Sequence, residues 1–87
     1  SSSVAANYRA AYRSRSSAEF LSKLGIVEEE CDETLFWLEL IHESSELLGL
    51  NPAKEASSEL QRLLGETEEL LRITIAAKKT TRSKLAN

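Results

Sequence analysis

Several residue types that often define small folds are scarce in this 87-residue chain. It contains one cysteine, one proline and three glycines, and aromatic residues make up 6% of it. One cysteine excludes an internal disulfide, and few helix-breaking residues favour an all-helical protein. No apolar run is long enough to span a bilayer, and we expect no secretory signal. The composition predicts one cytoplasmic domain over residues 1–87, without membrane contact and too small for a large core.

Acidic residues are missing from both ends of the chain, although the net charge of the whole is only −3. Residues 1–15 carry three arginines and no acid, and residues 72–87 carry five basic residues and no acid. All fourteen acids lie in residues 16–71, together with three basic residues. Charge must therefore be considered segment by segment, because two basic ends flank an acidic middle.

Apolar spacing predicts three helices, at about residues 3–14, 17–48 and 52–80, with a basic C-terminal tail at 78–87. The first has Val4, Tyr8 and Ala11 at positions i, i+4 and i+7. Ser16 followed by Glu19 three residues later is a capping box that starts the second helix. Gly49 predicts its end. Asn51 as cap and Pro52 at the first helical position predict the start of the third.

The second predicted helix is apolar on two sides. One side carries the seam residues Phe20, Leu24, Val27, Cys31, Leu35 and Leu38. The other side carries further large apolar residues, and a helix of this kind must be covered on both faces. We therefore predict that Phe36, Trp37, Leu40 and Leu47 form an oligomer interface, or are covered by a further helix of the bundle where one is present. The fold class that these patterns predict is an all-α, antiparallel, up-and-down helical bundle.

Three stretches carry a resemblance to a known family: "SVAAN" (residues 3–7), "AEFLSKL" (18–24) and "EEECDETLFWLEL" (28–40). They resemble the bacterial four-helix bundle proteins encoded in 23S rRNA intervening sequences. The resemblance implies a four-helix up-and-down bundle that assembles as a ring-shaped homopentamer, with no established enzymatic role. A relative in that family serves diversity-generating retroelements as a basic, nucleic-acid-associated accessory protein.

By this resemblance, the first helix of our chain corresponds to the second helix of the family. We expect the family's first helix to be absent, which leaves three helices. Asn7 matches the family pattern, and we interpret it as a structural polar residue that hydrogen-bonds to a neighbouring helix. Many members continue with an acidic residue and a glycine, where this chain has Ala10 and Ala11, so no role of that acid carries over.

Candidate catalytic and metal-binding residues are few. Glu39 and His42 have the Glu-x-x-His spacing of di-metal carboxylate bundles, but only one copy and one histidine are present. Cys31 lies on the apolar seam, as a buried small residue would. The acidic run at residues 28–33 lacks the ligand spacing of a calcium loop and suits a solvated face. We predict no enzymatic activity, no metal site and no cofactor.

A basic end is the strongest lead to function. In an up-down-up arrangement, the end of the first helix meets the end of the third. Seven basic residues would gather there: Arg9, Arg13, Arg15, Lys78, Lys79, Arg82 and Lys84. They either form a polyanion-binding surface or only complement helix dipoles. Three hypotheses follow: a non-catalytic assembly factor that contacts the ribosome or another RNA, a structural or protein-binding module without nucleic acid, and, more remotely, a di-metal protein.

Overall fold

The computed structural model describes the backbone of residues 2–86 and the side chains of residues 4–86. This part of the chain forms three α-helices and no strand: α1 (Ser2–Tyr12), α2 (Ser17–Leu47) and α3 (Lys54–Ala86). The prediction of an all-helical chain with three helices is confirmed. The molecule measures 53 × 21 × 15 Å. Its long dimension matches α3, since 33 residues at 1.5 Å each span about 50 Å.

A short connection joins α1 to α2. The amides of Arg13 and Ser14 donate to the carbonyls of Ala10 and Ala11, each at 3.1 Å. These i to i−3 bonds tighten the chain and end α1 at Tyr12, two residues earlier than predicted. The side chain of Ser16 then accepts a hydrogen bond of 3.1 Å from the amide of Glu19. Ser16 is therefore the N-cap of α2, as the capping-box pattern predicts.

A glycine motif ends α2. The amide of Leu50 donates to Ser45 O at 2.9 Å, and the amide of Gly49 donates to Glu46 O at 3.1 Å. This pair of bonds is the Schellman arrangement, which needs a left-handed residue at its centre. Gly49 provides that residue with a φ of 67°. A side chain at this position would strain the turn.

The start of α3 differs from the prediction. Asn51 and Pro52 precede the helix, which begins at Lys54, and the first carbonyl to accept an i+4 amide is that of Ala53, from Ser57 at 3.0 Å. The Schellman turn draws residues 49 and 50 back onto α2, so the chain needs Asn51 to Ala53 to cross to the next helix. At its other end, α3 continues to Ala86 instead of ending near residue 80.

The best-buried part of the molecule lies where α2 contacts both other helices. Val4, Val27 and Cys31 form a cluster against which Tyr8, Leu70 and Leu71 pack. Leu24 and Thr74 are also fully buried. The Thr74 hydroxyl donates to Leu70 O at 2.8 Å, so it costs little to bury. Thr67 and Thr81 make the same bond one heptad away on each side, to Leu63 and Ala77.

The C-terminal half of α2 lacks such cover. Five of its large apolar side chains are exposed, namely Phe36, Trp37, Leu40, Ile41 and Leu47, whereas Leu35 and Leu38 are half-buried. α1 packs along the first half of α2 by way of Val4 and Tyr8, and Trp37 borders a shallow pocket beside Val4. Even so, no helix of the described residues has the length and mean hydropathy that a membrane span requires.

Candidate functional site

Two of the predicted basic residues line one pocket at the α1–α2 connection. Arg15 belongs to the connection and Lys84 to the last turn of α3. The pocket has a volume of about 460 Å³, and its lining also includes the rings of Tyr12 and Phe20. Neither cation takes part in any ion pair of the described residues. The structure therefore brings together basic residues that are 69 positions apart in sequence.

Three more of the predicted residues line a neighbouring groove on α3. Lys78, Lys79 and Arg82 lie there beside Ile75, together with Glu28 of α2. Lys78 Nζ is 2.5 Å from Glu28 Oε1, and only 16% of the Lys78 side chain is exposed. The positive charge of Lys78 is therefore largely balanced within the chain, which the sequence did not suggest. Lys79 and Arg82 stay exposed.

The last two predicted residues, Arg9 and Arg13, are exposed near the end of α1. Arg72 is also exposed, although it is not among the seven predicted site residues. Arg72, Lys79 and Arg82 follow each other at steps of seven and three along α3, so they share one helix face. This spacing could have indicated Arg72 as a site residue, but Arg72 precedes the predicted basic tail at residues 78–87.

Aromatic rings connect the basic end to the core. The ring of Tyr12 lies edge-to-face with Tyr8 and with Phe20, at centroid distances of 5.1 and 5.5 Å. The two tyrosine hydroxyls hydrogen-bond to each other at 3.1 Å. This bond, assisted by burial, raises the pKa of Tyr8 to about 12. Tyr8 packs inward, whereas 59% of Tyr12 is exposed at the pocket.

Asn7 joins α1 to α2. Its Nδ2 donates a hydrogen bond of 2.5 Å to Glu30 Oε1, in a partly buried position. The predicted role of Asn7 is a structural polar group that hydrogen-bonds to a neighbouring helix, and the observed bond is of that kind. Because the acceptor is charged, the bond is stronger than one between neutral groups.

The four residues predicted as an oligomer interface lie on the uncovered half of α2. Their exposed fractions are 59% for Phe36, 54% for Trp37, 40% for Leu40 and 87% for Leu47. Phe36 and Trp37 are adjacent and edge-to-face, with their ring centroids 5.3 Å apart. Large apolar side chains grouped in this way are typical of an interaction surface.

The residues considered for metal or nucleophile chemistry lie apart. His42 Nε2 is 3.3 Å from Glu46 Oε1, one turn further along α2, and Glu39 is exposed. In the described residues, no three side chains of His, Cys, Asp or Glu converge as metal ligands would. Cys31 is fully buried, and burial, followed by the nearby charge of Asp32, raises its thiol pKa above the ordinary value. A raised pKa leaves less of the reactive thiolate.

The opposite end of the molecule has a different character. A groove of about 580 Å³ lies between the end of α2 and the start of α3, lined by apolar side chains such as Leu38, Ile41 and Leu60. Two acids, Glu46 and Glu59, also line it. Arg62 pairs with both Glu59 and Glu66, and its hydrogen bond lowers the pKa of Glu59.

Comparison of the chain with protein-family models, curated proteins and solved structures gives no match. The molecule therefore has two candidate sites, one at each end. One is a basic pocket with aromatic rings, and the other is an apolar groove whose lining includes acids.

Proposed function

We propose that this chain is a non-catalytic, homo-oligomeric helical-bundle protein of the family encoded in 23S rRNA intervening sequences. Its helices run alternately up and down as three helices of a four-helix fold. The contacts support this arrangement, because the start of α2 meets the ends of α1 and α3 at Phe20 and Lys84. The end of α2 shares a groove with the start of α3, where Leu38 lies opposite Leu60. A cytoplasmic location belongs to the proposal, since a lone buried cysteine suits a reducing compartment.

The proposed activity is RNA binding at the basic end. The protein would act as an assembly factor that associates with the ribosome or with another RNA. One observation carries it: Arg15 and Lys84 come together in a single pocket without a carboxylate partner among residues 4–86. Phosphate binding releases condensed counterions, and this favours contact between exposed arginines or lysines and RNA. The acids lie mostly elsewhere, and screening limits their repulsion to about 8 Å at physiological ionic strength.

A titration of labelled RNA at two salt concentrations tests this proposal. The triple variant Arg9→Glu/Arg13→Glu/Lys79→Glu reverses three exposed charges without touching the pocket or the Lys78–Glu28 pair. We expect it to lose most of the affinity, and we expect the affinity of the wild type to fall steeply with salt. Lys54→Glu, an exposed charge reversal at the other end, is the control and should bind as the wild type does. No binding by the wild type at low salt, or equal affinities for the wild type, the triple variant and Arg15→Glu/Lys84→Glu, would refute the proposal.

A second candidate is a structural or protein-binding module without nucleic acid. The apolar groove between Leu38, Ile41 and Leu60 favours it, because such a groove can accept an amphipathic helix. Under this alternative, charge reversals at the basic end leave partner binding intact, and Ile41→Asp removes it. Co-purification of the same partner with the wild type and the triple variant, but not with Ile41→Asp, would favour the alternative.

A further inference from the structure

We propose that the pocket at the α1–α2 connection binds one nucleotide of single-stranded RNA, with the base against Tyr12 and the phosphate between Arg15 and Lys84. This rests on the proposed function and specifies it further: a basic surface alone would accept a duplex as readily as a single strand. The pocket adds aromatic rings to the cations, and its volume of about 460 Å³ falls in the range of small-ligand sites.

Tyr12 supplies the stacking surface. It is 59% exposed, yet it is held in place by edge-to-face contacts with Tyr8 and Phe20 and by the hydroxyl bond to Tyr8. A ring that is already fixed loses little conformational freedom when a base stacks on it. Bases stack on aromatic side chains with little dependence on sequence, because every base has a π-face.

Arg15 and Lys84 supply the phosphate contacts. The residues of the described chain that line the pocket include no acid, and neither cation is committed to an ion pair there. Lys78, by contrast, is held by Glu28 and is not available in the same way. The N-terminal end of α2, capped at Ser16, adds partial positive charge beside the two cations.

One buried polar atom also points to a ligand. Ser14 lines the pocket, and its Oγ is buried without a hydrogen-bond partner among the described side chains and backbone. Most buried polar groups in proteins are paired, so an unpaired hydroxyl at a pocket wall requires an explanation. Rotation of the Ser14 side chain toward the pocket would let its hydroxyl donate to a phosphate or ribose oxygen there.

Fluorescence anisotropy with a labelled single-stranded RNA and a duplex of the same length tests the inference. Tyr12→Ala should weaken single-strand binding about tenfold, the effect of losing one stacked base, and leave duplex binding unchanged. Tyr12→Phe keeps the ring and should bind as the wild type does. Arg15→Glu/Lys84→Glu should weaken both, and each variant should keep the helicity of the wild type at the temperature of the titration.

Competition separates the base from the phosphate. Adenosine monophosphate should displace the single strand from the wild type at concentrations at which inorganic phosphate does not. If Tyr12→Ala binds single strands as the wild type does while the charge reversals still weaken binding, the pocket inference is wrong and the proposed function stands. If the wild type binds neither RNA at low salt, both are wrong.

Discussion

The two halves of α2 carry similar amounts of apolar surface but meet different surroundings. In the first half, Leu24, Val27 and Cys31 are completely buried, since α1 and α3 both pack there. In the second half, Trp37 and Leu47 are 54% and 87% exposed. The sequence of α2 gives no reason for this asymmetry. The two halves differ in what packs on them, because Val4 and Tyr8 of α1 pack against Val27 and Cys31 in the first half.

The charges near the two ends of the molecule also differ, although acids occur along both halves of α2. The covered half lies beside exposed arginines and lysines, whereas acids border the groove at the uncovered half. The end with the basic pocket thus lies near the buried core. The other end has exposed apolar side chains and a groove whose lining includes acids. The proposal that other copies of the chain bind at the second end rests on its exposed apolar side chains.

The largest expected effect compares the two halves directly. Leu24→Ala removes a fully buried side chain and should lower the free energy of unfolding by about 2–5 kcal/mol. Leu47→Ala removes the same atoms from a position that is 87% exposed and should change the stability of the monomer by less than about 0.5 kcal/mol. Urea unfolding at a concentration that disfavours assembly measures both. Equal losses would show that the uncovered half is packed in solution.

A smaller effect concerns the attachment of α1 to α2. Asn7→Ala removes the hydrogen bond to Glu30 and should cost about 1.5 kcal/mol. The amides of α1 should then exchange hydrogen faster than they do in the wild type, and the rates in α3 should change less. Asn51→Ala, in the exposed loop before α3, is the matched control and should leave stability and exchange nearly unchanged. Unchanged exchange in α1 of the Asn7 variant would contradict the role given to this bond.

The smallest expected effect is the change in stability with pH that comes from ionisation of Cys31, the buried thiol in the first half of α2. Because burial raises the pKa of Cys31, the folded chain keeps the thiol proton to a higher pH than the unfolded chain. Stability should therefore be constant below the ordinary thiol pKa and fall as the pH rises above it. The loss should stay below about 1 kcal/mol at pH 9.5, because one pH unit corresponds to at most 1.36 kcal/mol.

Cys31→Ala is the variant that isolates this titration. It should be less stable than the wild type at pH 7.5, since it leaves a small cavity in the core. The difference between the two proteins should narrow by pH 9.5, because only the wild type has the thiol to ionise. Urea midpoints under reducing conditions measure the difference. A gap that stays constant with pH would mean that Cys31 is not buried in solution.

The sequence was sufficient for the parts of the fold that depend on local chemistry. Ser16 with Glu19 marked the start of α2, and Gly49 marked its end, because caps and left-handed turns need particular side chains. The start of α3 was missed, since Asn51-Pro52 satisfies the same local rule as a cap. The preceding turn, which fixes where the chain leaves α2, overrides that rule.

The candidate site depended on contacts that no local pattern contains. Charge segregation indicated a basic end. Only the packing of α3 against α2 shows that Lys78 forms an ion pair with Glu28. The same packing brings Lys84 to the pocket of Arg15 and Tyr12. Residues far apart in sequence meet there, and helical spacing within one segment cannot specify which pairs form.

The mass of the chain in solution tests the central claim most directly, namely that other copies cover the second half of α2. Light scattering at micromolar concentration should give a multiple of 9.7 kDa, and five copies if the family resemblance holds. Trp37→Asp should lower that mass, because it places a charge in the interface, whereas Glu43→Ala should not. A wild-type mass of 9.7 kDa, with the spectrum of a folded helical protein, would contradict the claim.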